Sequence, residues 1–339
     1  MSIHYRFPHI SHINHVLPAI KDDPSFIKVD KDGGYTVINY VQMGQDTFPS
    51  VIDDDESAAI RRECRGIIFD TATGVLKARR LHKFFNFGER ADTVPDFTKP
   101  HAILEKLDGS MITPIPMGGG AFRWGTKMGV TDVGMQAEVF VANNPIYDQF
   151  AADSYRVGAT PIFEWCSRKQ RIVVDYPDDN LVLIAMRDNH TGAYWRYDVL
   201  RDLAESFAIP VVRQVGLPED IEEAVDLIRS MEDGEGVVIR FEDGHMVKVK
   251  SDWYVQIHRA KSLLDNERDV VGVILDEKVD DLLPVLPEID RDRLLAFQAA
   301  VWTDIAHFSS DARDVLRMQR TLECTRKDFA LHAGLALQP

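Results

Sequence analysis

The segment ILEKLDGSMI, residues 103–112, contains the first side chain that could do chemistry. Lys106 interrupts an otherwise apolar run, and Asp108, Gly109 and Ser110 follow it closely. A solvated lysine amine is protonated and does not attack electrophiles, whereas burial or neighbouring cations lower the pKa of a lysine and expose its lone pair. A glycine nearby lets a bulky ligand approach the backbone. The segment favours a nucleophilic lysine beside a phosphate, although a surface hairpin with a snorkelling lysine also fits it.

A second pair of lysines ends the segment HMVKVK. Lys248 and Lys250 are two residues apart on a predicted strand, so both side chains point to one face. Two ammonium groups that face a triphosphate neutralise the charge that develops in a transition state. An exposed edge strand also carries alternating lysines, so this pattern alone leaves both interpretations open.

Two carboxylates stand in unusual surroundings. Glu164 lies in the apolar sequence PIFEWCS, where it requires a partner such as a ribose hydroxyl, a metal-bound water, or an ion pair with Arg168 or Arg171. Glu235 begins the sequence EGVVIRF, and Gly236 behind it permits close approach of a ligand. Taken alone, Glu235 could also be an exposed hairpin acid.

Short strands separated by turns are predicted from about residue 30 to residue 255, and these strands must position the candidate groups. Strand patterns cover residues 34–42, 65–79, 121–127, 161–167, 171–176, 180–196 and 236–250. Apolar residues at helical spacing predict helices at residues 131–144, 198–209 and 219–231. Turn sequences such as DTATG, DNHTG and EDG indicate antiparallel hairpins.

The strand signal stops after about residue 258. Apolar residues then recur at helical spacing, at Leu294, Phe297, Val301, Ile305 and Phe308. The following segment, SSDARDVLRMQR, begins with Ser and Asp residues typical of a helix cap and continues the same period. The sequence therefore predicts an α+β chain, with an antiparallel-sheet domain at residues 1–258 and a small all-α domain at residues 259–339.

The composition limits the possible partners. The net charge of −15 argues against bulk, non-specific attraction to nucleic acid. Residues 61–90 nevertheless hold eight Lys or Arg against three Asp or Glu, a local charge of +5. This segment is either a solvated charged face or a local basic groove.

The expected location is a reducing cytoplasm. The N-terminal residues contain no apolar signal-peptide core, and no stretch approaches the ~20 apolar residues of a membrane span. Cys64, Cys166 and Cys324 lie far apart, and they suggest neither a disulfide framework nor a zinc site.

Seven segments in order resemble the motifs of the covalent nucleotidyltransferases, which include polynucleotide ligases and RNA capping enzymes. They are ECRGIIF, KFFNFGE, EKLDGS, WGTKMG, FEWCSRKQRIVVDY, EGVVIRF and VKVKSDWY. Within that superfamily the chain resembles the phage-type ATP-dependent RNA ligase 1 family, the tRNA-repair ligases. The discriminating features are Arg-Gly before the lysine, KFFN, and Lys-x-Lys-x-x-Trp-Tyr. The resemblance spans about residues 60–258, and residues before 60 match loosely.

The resemblance implies that Lys106 attacks the α-phosphate of ATP, forming lysyl-AMP and releasing pyrophosphate. The catalytic set that it implies is Lys106, Glu164, Glu235, Lys248 and Lys250. The nucleotide-binding set adds Arg65, Lys83, Phe85, Glu105, Lys127 and Tyr254. The role of Asp108 stays open between orienting Lys106 and making a structural turn bond.

Individual roles follow from the same resemblance. Arg65 and Lys83 resemble cations that hold phosphates of ATP or of the RNA 5′ end. Phe85 resembles an aromatic residue that packs near the adenine. Glu164 and Glu235 are implied to support Mg²⁺, which is needed because each step concentrates negative charge on oxygens that protein cations alone do not neutralise.

The implied function is an ATP-dependent RNA ligase that joins 5′-phosphate and 3′-hydroxyl ends through lysyl-AMP and AppRNA, with ATP and Mg²⁺ as cofactors. The expected partner is RNA, with a nicked tRNA as one candidate, and the chain is expected to act as a monomer without a membrane. One alternative is a DNA ligase or capping enzyme, which would place a β-barrel after the KVK strand. The other is an inactive RNA-binding relative, which would be expected to lose Lys106, Glu235 or the Lys248–Lys250 pair.

Overall fold

The computed structural model describes residues 6–44, 46–51, 55–94, 96–218, 220–322 and 325–336. The chain divides into two compact units, Met1–Val255 and Gln256–Pro339. The assignment of residues 1–258 and 259–339 as catalytic and helical domains stays a prediction. Cys324, one of the three cysteines, lies outside the described residues.

The first unit contains three four-stranded sheets. Their strand orders are β1-β2-β3-β4, β10-β9-β7-β8 and β5-β12-β11-β6, and all neighbours are antiparallel except the parallel pair β5 and β12. The strands are β1 Phe26–Lys31, β2 Tyr35–Tyr40, β3 Arg65–Asp70, β4 Leu76–Ala78, β5 Phe85–Asn86, β6 His101–Glu105, β7 Ser110–Gly118, β8 Ala121–Gly125, β9 Ala159–Cys166, β10 Asn180–Asp188, β11 Gly236–Phe241 and β12 Met246–Lys250.

The helices are unevenly distributed between the two units. Those in the first unit are α1 Glu56–Glu63, α2 Asp132–Asn143, α3 Ile146–Arg156, α4 Tyr197–Ser206 and α5 Ile221–Arg229. The helix α6, Asp252–Leu264, begins at the end of the first unit. The second unit continues with α7 Glu267–Leu275, α8 Val279–Leu282, α9 Glu288–Leu322 and α10 Arg326–Ala336.

Local sequence signals account for much of this architecture. The predicted hairpins β3–β4 and β11–β12 are confirmed, and so are the helices α2, α4 and α5. The hydroxyl of Thr131 accepts a hydrogen bond from the amide of Gly134 and so begins α2. The predicted hairpin at residues 180–196 is confirmed only in its first arm, since Tyr194 on the return makes a single bridge to Arg187.

Three local predictions were wrong or incomplete. The helices α1 and α3 lie in segments where the sequence analysis predicted none. Residues 171–176, predicted as a strand, form an irregular loop because the carboxylate of Asp108 takes two of their backbone amides out of any sheet ladder. The predicted helix cap at residues 309–311 lies inside α9, because the apolar period runs on without interruption.

A buried ion triad joins distant parts of the first unit. Glu63 ends α1, and its carboxylate accepts from Arg79 Nε at 3.1 Å and from Arg187 Nη2 on β10 at 2.6 Å. The side chains of all three residues are fully buried. Removing one partner would leave a buried charge uncompensated, at a cost of about 3–5 kcal/mol.

The second unit, as far as it is described, is entirely helical. Its core packs Ala260, Val270, Ile274, Leu286 and Leu294, with Phe297 and Val301 against them. Ile305 and Phe308 are exposed, because the short helices α7 and α8 cover only the first half of α9. No strand occurs in residues 252–322 or 325–336, so the barrel expected of a DNA ligase or capping enzyme is missing from these ranges.

No helix within the described ranges is both long enough and apolar enough to cross a membrane.

Candidate active site

Three adjacent strands place the predicted lysines on one face. The amide of Lys106, just after β6, donates to the carbonyl of Gly236 on β11 at 2.8 Å, and Gly236 pairs with Lys250 on β12. Lys248 pairs with Val238, two positions further along the strands, and side chains two positions apart point to the same face. Lys106, Lys248 and Lys250 therefore share one sheet face, as the alternation predicts.

Two glycines permit this close packing. Gly236 has a φ of +131°, and a Cβ there would lie 2.1 Å from the carbonyl oxygen of Val249. A Cβ on Gly109 would lie 2.3 Å from the carbonyl oxygen of Trp165 on β9. Gly109 lines the cavity, and its missing side chain makes room for β9, so the approach of a ligand to its backbone stays a prediction.

Glu235 holds the candidate nucleophile in an ion pair. Lys106 Nζ donates to Glu235 Oε2 at 2.7 Å, and Lys250 Nζ donates to Oε1 at 2.9 Å. Glu235 is only 4% exposed. This burial excludes the alternative of an exposed hairpin acid. A carboxylate bridging two ammonium groups fixes the Lys106 amine in position and offers an acceptor for its proton.

These groups line a cavity of about 420 Å³ in the first unit. Nine of the predicted site residues reach it, namely Arg65, Lys83, Glu105, Lys106, Lys127, Glu164, Glu235, Lys248 and Lys250. The apolar side of the cavity includes Leu81, Ile184, Val212 and Met246. One wall is thus strongly cationic and another apolar, which suits a ligand that has phosphates and a flat base.

Cation crowding shapes the electrostatics of the cavity. Burial, with Lys83, Lys106, Lys250 and Arg65 nearby, lowers the pKa of Lys248 to about 7. Burial and Arg65 lower the pKa of Lys83 to about 8, although Glu89 opposes the shift. The same two causes lower the pKa of Lys127. An anion entering here would stabilise the charged form of each lysine, so the cavity is prepared for phosphates.

Glu164 is a carboxyl group without a fixed partner. Burial raises its pKa to about 7, while Lys106 opposes the shift and Glu235 adds to it. Among the residues that the structure describes, none donates a hydrogen bond to its carboxyl group. The alternative of an ion pair between Glu164 and Arg168 or Arg171 is not observed, because both arginines pair with Asp175.

The pair Glu164 and Glu235 fits a magnesium ion only in part. Mg²⁺ is commonly held by one or two carboxylates, with waters and substrate phosphates completing the shell. No group of three or more His, Cys, Asp or Glu side chains could hold a metal ion within the described ranges. The two acids therefore fit an ion whose remaining ligands come from nucleotide phosphates and water.

Asp108 has a structural role. Its carboxylate accepts from the amides of Val173 and Val174 at 2.7 and 2.8 Å, and from the hydroxyl of Tyr254 at 2.7 Å. Tyr254 is 3% exposed and lies outside the cavity lining. The Tyr254 hydroxyl bonds Asp108, and its ring lies under the Lys250 ammonium at 4.8 Å. The contact of Tyr254 with the nucleotide stays a prediction.

The aromatic assignment shifts by one residue. Phe84 lines the cavity, whereas Phe85 is 2% exposed and packs in a core with Phe48 and Ile67. Asn86 on β5 pairs with Lys248, so its neighbour Phe85 points to the opposite face. The structure therefore places Phe84 at the cavity and Phe85 in the core, and contact of an aromatic ring with the base stays a prediction.

Tyr40 and Arg240 are among the cavity residues that sequence reasoning did not identify. The Tyr40 ring lies below the ammonium groups of Lys127 and Lys83, at 4.9 and 5.4 Å. Arg240 is 5% exposed and lies two residues beyond Val238 on β11. The alternation along β11 could have identified Arg240, whereas the segment around Tyr40 carries no motif.

The basic segment at residues 61–90 is neither a solvated face nor a continuous groove. Arg65 and Lys83 enter the cavity. Arg62 instead forms a buried ion pair with Asp92. Arg80 is 2% exposed and donates from Nε to the Thr113 hydroxyl at 2.6 Å. Most of the local positive charge therefore serves the interior of the fold.

Comparisons with known proteins agree with this site. A family model described as RNA ligase matches residues 63–254, more than half of the chain. A protein of Thermovibrio ammonificans named as a candidate RNA ligase is 30% identical over 292 residues, covering 83% of this chain and 74% of that protein. The protein named RNA ligase 1 of bacteriophage TS2126 is 27% identical over 238 residues, covering 66% of this chain.

The phage relative is longer than the match, and the chain spans only 58% of its length. A solved structure of an archaeal ATP-dependent RNA ligase, form 2, has 17% sequence identity and a TM-score of 0.49, over 88% of this chain and 78% of that one. The matched residues 63–254 include the lysine row, Glu164 and Glu235. The chain belongs to the RNA ligase family.

Proposed function

We propose that this protein is an ATP-dependent RNA ligase that works through a lysyl-AMP intermediate on Lys106. The observation that carries the proposal is the Lys106–Glu235 ion pair in a cavity rich in lysine and arginine. A buried nucleophilic amine beside many cations suits attack on a polyphosphate, which is itself a poor electrophile because it is negatively charged.

In the first step the Lys106 ammonium must lose a proton before it attacks. Glu235 Oε2, 2.7 Å from Nζ, is the acceptor within hydrogen-bond reach. The neutral amine then forms a bond to the α-phosphorus of ATP, the bond from that phosphorus to the bridging oxygen breaks, and pyrophosphate leaves. Lys248, Lys83 and Arg65 are the cations that would neutralise the departing charge.

Two further transfers complete ligation. An oxygen of an RNA 5′-phosphate attacks the lysyl-AMP phosphorus, the nitrogen–phosphorus bond breaks, and AppRNA forms while Lys106 recovers its amine. A 3′-hydroxyl oxygen then attacks the RNA phosphorus of AppRNA, and AMP leaves as the phosphodiester forms. The hydroxyl proton passes to a base during this last step, and Glu164 is a candidate because its pKa of about 7 lies near neutrality.

Glu164 and Glu235 are the residues that would hold Mg²⁺. When bound, this ion supplies charge neutralisation at the reacting phosphate oxygens. Glu164 contributes a carboxyl group that the described residues leave free of hydrogen bonds, and Glu235 fixes its own position through two lysines. Protonation of Glu164 below about pH 7 would weaken metal binding.

The finer assignments extend the same proposal. Residues 1–258 form the adenylyltransferase domain, and residues 259–339 form a helical domain that selects the RNA, with a nicked tRNA as the candidate substrate. The protein acts as a monomer in the cytoplasm. The buried free thiols of Cys64 and Cys166 support a reducing compartment.

One experiment tests the central proposal. The protein is incubated with Mg²⁺ and ATP labelled at the α-phosphate, and it is then resolved on a denaturing gel. We expect the label first on the protein. When 5′-phosphorylated single-stranded RNA is added, we expect the labelled AMP to move to the RNA and form AMP-capped RNA. Absence of protein-bound label at any Mg²⁺ concentration would overturn the proposal, and transfer to DNA alone would reassign the substrate.

A further inference from the structure

The apolar end of the cavity contains an arginine with unused donors. Arg240 lines the cavity and is 5% exposed. Its Nη1 donates to the carbonyl of Ile184 at a long 3.4 Å, and its buried Nη2 has no hydrogen-bond partner among the residues that the structure describes. A guanidinium group carries five N–H donors, and leaving them unmatched in an apolar site is costly.

Within the described part of the chain, no carboxylate compensates the Arg240 cation. Burial lowers the pKa of Arg240 to about 10, and the ionisable groups that act on it within the described residues are the phenols of Tyr194 and Tyr197. The side chains around it in the cavity include Leu81, Ile184 and Met246. An arginine kept in such a site without an acid calls for an acceptor supplied from outside the chain.

The strand register separates Arg240 from Lys106 by a distance that a nucleotide can span from its phosphate to its base. Gly236 lies beside Lys106, and Arg240 follows four residues later on β11 with its side chain on the same face. At about 3.3 Å per residue the two backbone positions are ~13 Å apart. With the phosphate at Lys106, the far end of the nucleotide reaches the region of Arg240.

We propose that Arg240 recognises the purine base of the nucleotide by donating a hydrogen bond to a ring nitrogen. This inference rests on the proposed nucleotide chemistry at Lys106. The cationic end of the cavity takes the phosphates, so the acceptor at the apolar end is a neutral base edge. The guanidinium plane suits this task, because it presents its donors in a fixed geometry that matches the acceptors of a purine.

The test measures the rate of protein–nucleotide adduct formation with ATP and with 1-deaza-, 3-deaza- and 7-deaza-ATP. Each analogue replaces one ring nitrogen acceptor with a carbon. We expect the wild-type protein to use one analogue about 10- to 100-fold less efficiently than ATP, the scale of one hydrogen bond from a charged donor. Arg240→Met should use that analogue and ATP within about 3-fold of each other.

Two controls separate recognition from structure. Arg240→Lys keeps a charged donor and should keep part of the discrimination. Arg196→Met, at an exposed arginine paired with Asp198, should discriminate like the wild type. A merely structural role of Arg240 would lower the rates with all four nucleotides equally and leave their ratios unchanged.

The outcomes are distinct from those of the parent proposal. If the wild-type protein takes label from ATP but uses all three analogues as well as ATP, the assignment of Arg240 is overturned while the ligase chemistry stands. The same holds if Arg240→Met keeps the full penalty. The first of these outcomes is measured on the wild-type protein alone. The proposal therefore stays testable even if thermal melting shows that Arg240→Met does not fold.

Discussion

Lys106 and Glu235 are separated by 129 positions in the sequence, yet Nζ of one lies 2.7 Å from Oε2 of the other. The other oxygen of the same carboxylate binds Lys250 at 2.9 Å. The nucleophile is therefore held between the ends of β6, β11 and β12 before any nucleotide binds. Preorganisation of this kind reduces the entropy that must be lost when the amine meets the phosphorus atom.

Lys106→Ala should abolish label transfer from ATP to the protein, because no other lysine in the row lies beside Glu235 Oε2. The variant should still seal pre-adenylylated RNA to some degree, since Lys106 acts only before AppRNA exists. Gel analysis with α-labelled ATP measures the first property, and ligation of synthetic AppRNA measures the second. An adduct of unchanged yield in the variant would show that another residue is the nucleophile.

Glu235→Gln and Lys248→Ala should each slow adduct formation at least ~100-fold, the scale of removing a preorganised electrostatic group. Glu222→Gln is the matched control, because Glu222 is an exposed acid in the first turn of α5. Single-turnover rates with saturating ATP provide the measurement. Rates near wild type in either site variant would show that this residue is not needed for adduct formation.

Phe84→Leu and Phe85→Leu are a matched pair of variants that tests which of the two rings contributes to nucleotide binding. Phe84 lines the cavity and also packs against Leu81 and Ile162, so its replacement should raise the KM for ATP several-fold and also lower the free energy of unfolding. Phe85 is buried in the core, so its replacement should lower the free energy of unfolding by about 1–3 kcal/mol and leave KM unchanged. Urea unfolding and adduct kinetics on both variants measure the two effects. A raised KM in Phe85→Leu alone would instead identify Phe85 as the residue beside the base.

Glu164→Gln should stabilise the unliganded fold at pH 8. The folded-state pKa of about 7 lies above the ordinary value of 4.5, so the folded protein binds more protons than the unfolded chain between these values. Stability therefore falls as the pH rises through this window, and Gln removes that loss. We expect a gain of about 1–3 kcal/mol at pH 8, and little gain at pH 4.5.

Urea unfolding without nucleotide or Mg²⁺ at the two pH values provides this comparison, with Glu222→Gln as the control. An equal effect at both pH values would mean that the change alters packing and that the carboxyl group is not the cause.

Removal of residues 266–339 should leave adduct formation and reduce selectivity among RNA substrates. The cut falls after α6, and every residue of the cavity precedes it. Sealing rates on a nicked tRNA stem-loop and on an unstructured RNA are compared for the full-length and shortened proteins. An unchanged ratio would show that the helical residues do not select the substrate, and a β-rich circular dichroism spectrum of isolated residues 256–339 would contradict their described fold.

Sequence periodicity predicted correctly that Lys248 and Lys250 share one face, because alternation along a strand is a local property. The same reasoning could not determine which aromatic residue near Phe85 lines the cavity. The segment KFFNF contains three aromatic residues, and only the pairing of β5 with β12 determines which of them faces the cavity. That pairing joins residues far apart in the sequence, so no local pattern contains it.

The residues that the sequence analysis missed or misjudged have a common physical cause. Asp108 lies two positions from Lys106, yet its partners at residues 173, 174 and 254 are distant in the sequence. The sequence analysis did not select Arg240, because the alternation of residues around it is that of an ordinary strand. In both cases the function of the side chain depends on what surrounds it in three dimensions, and residue type alone does not reveal that.

The ion triad of Glu63, Arg79 and Arg187 bears on how the chain matures during synthesis. Arg187 is the last of the three to leave the ribosome, 124 positions after Glu63. Until it arrives, Arg79 is the one arginine of the triad that can pair with the Glu63 carboxylate. A chain that ended before β10 would therefore lack the stronger of the two contacts to Glu63, the one at 2.6 Å.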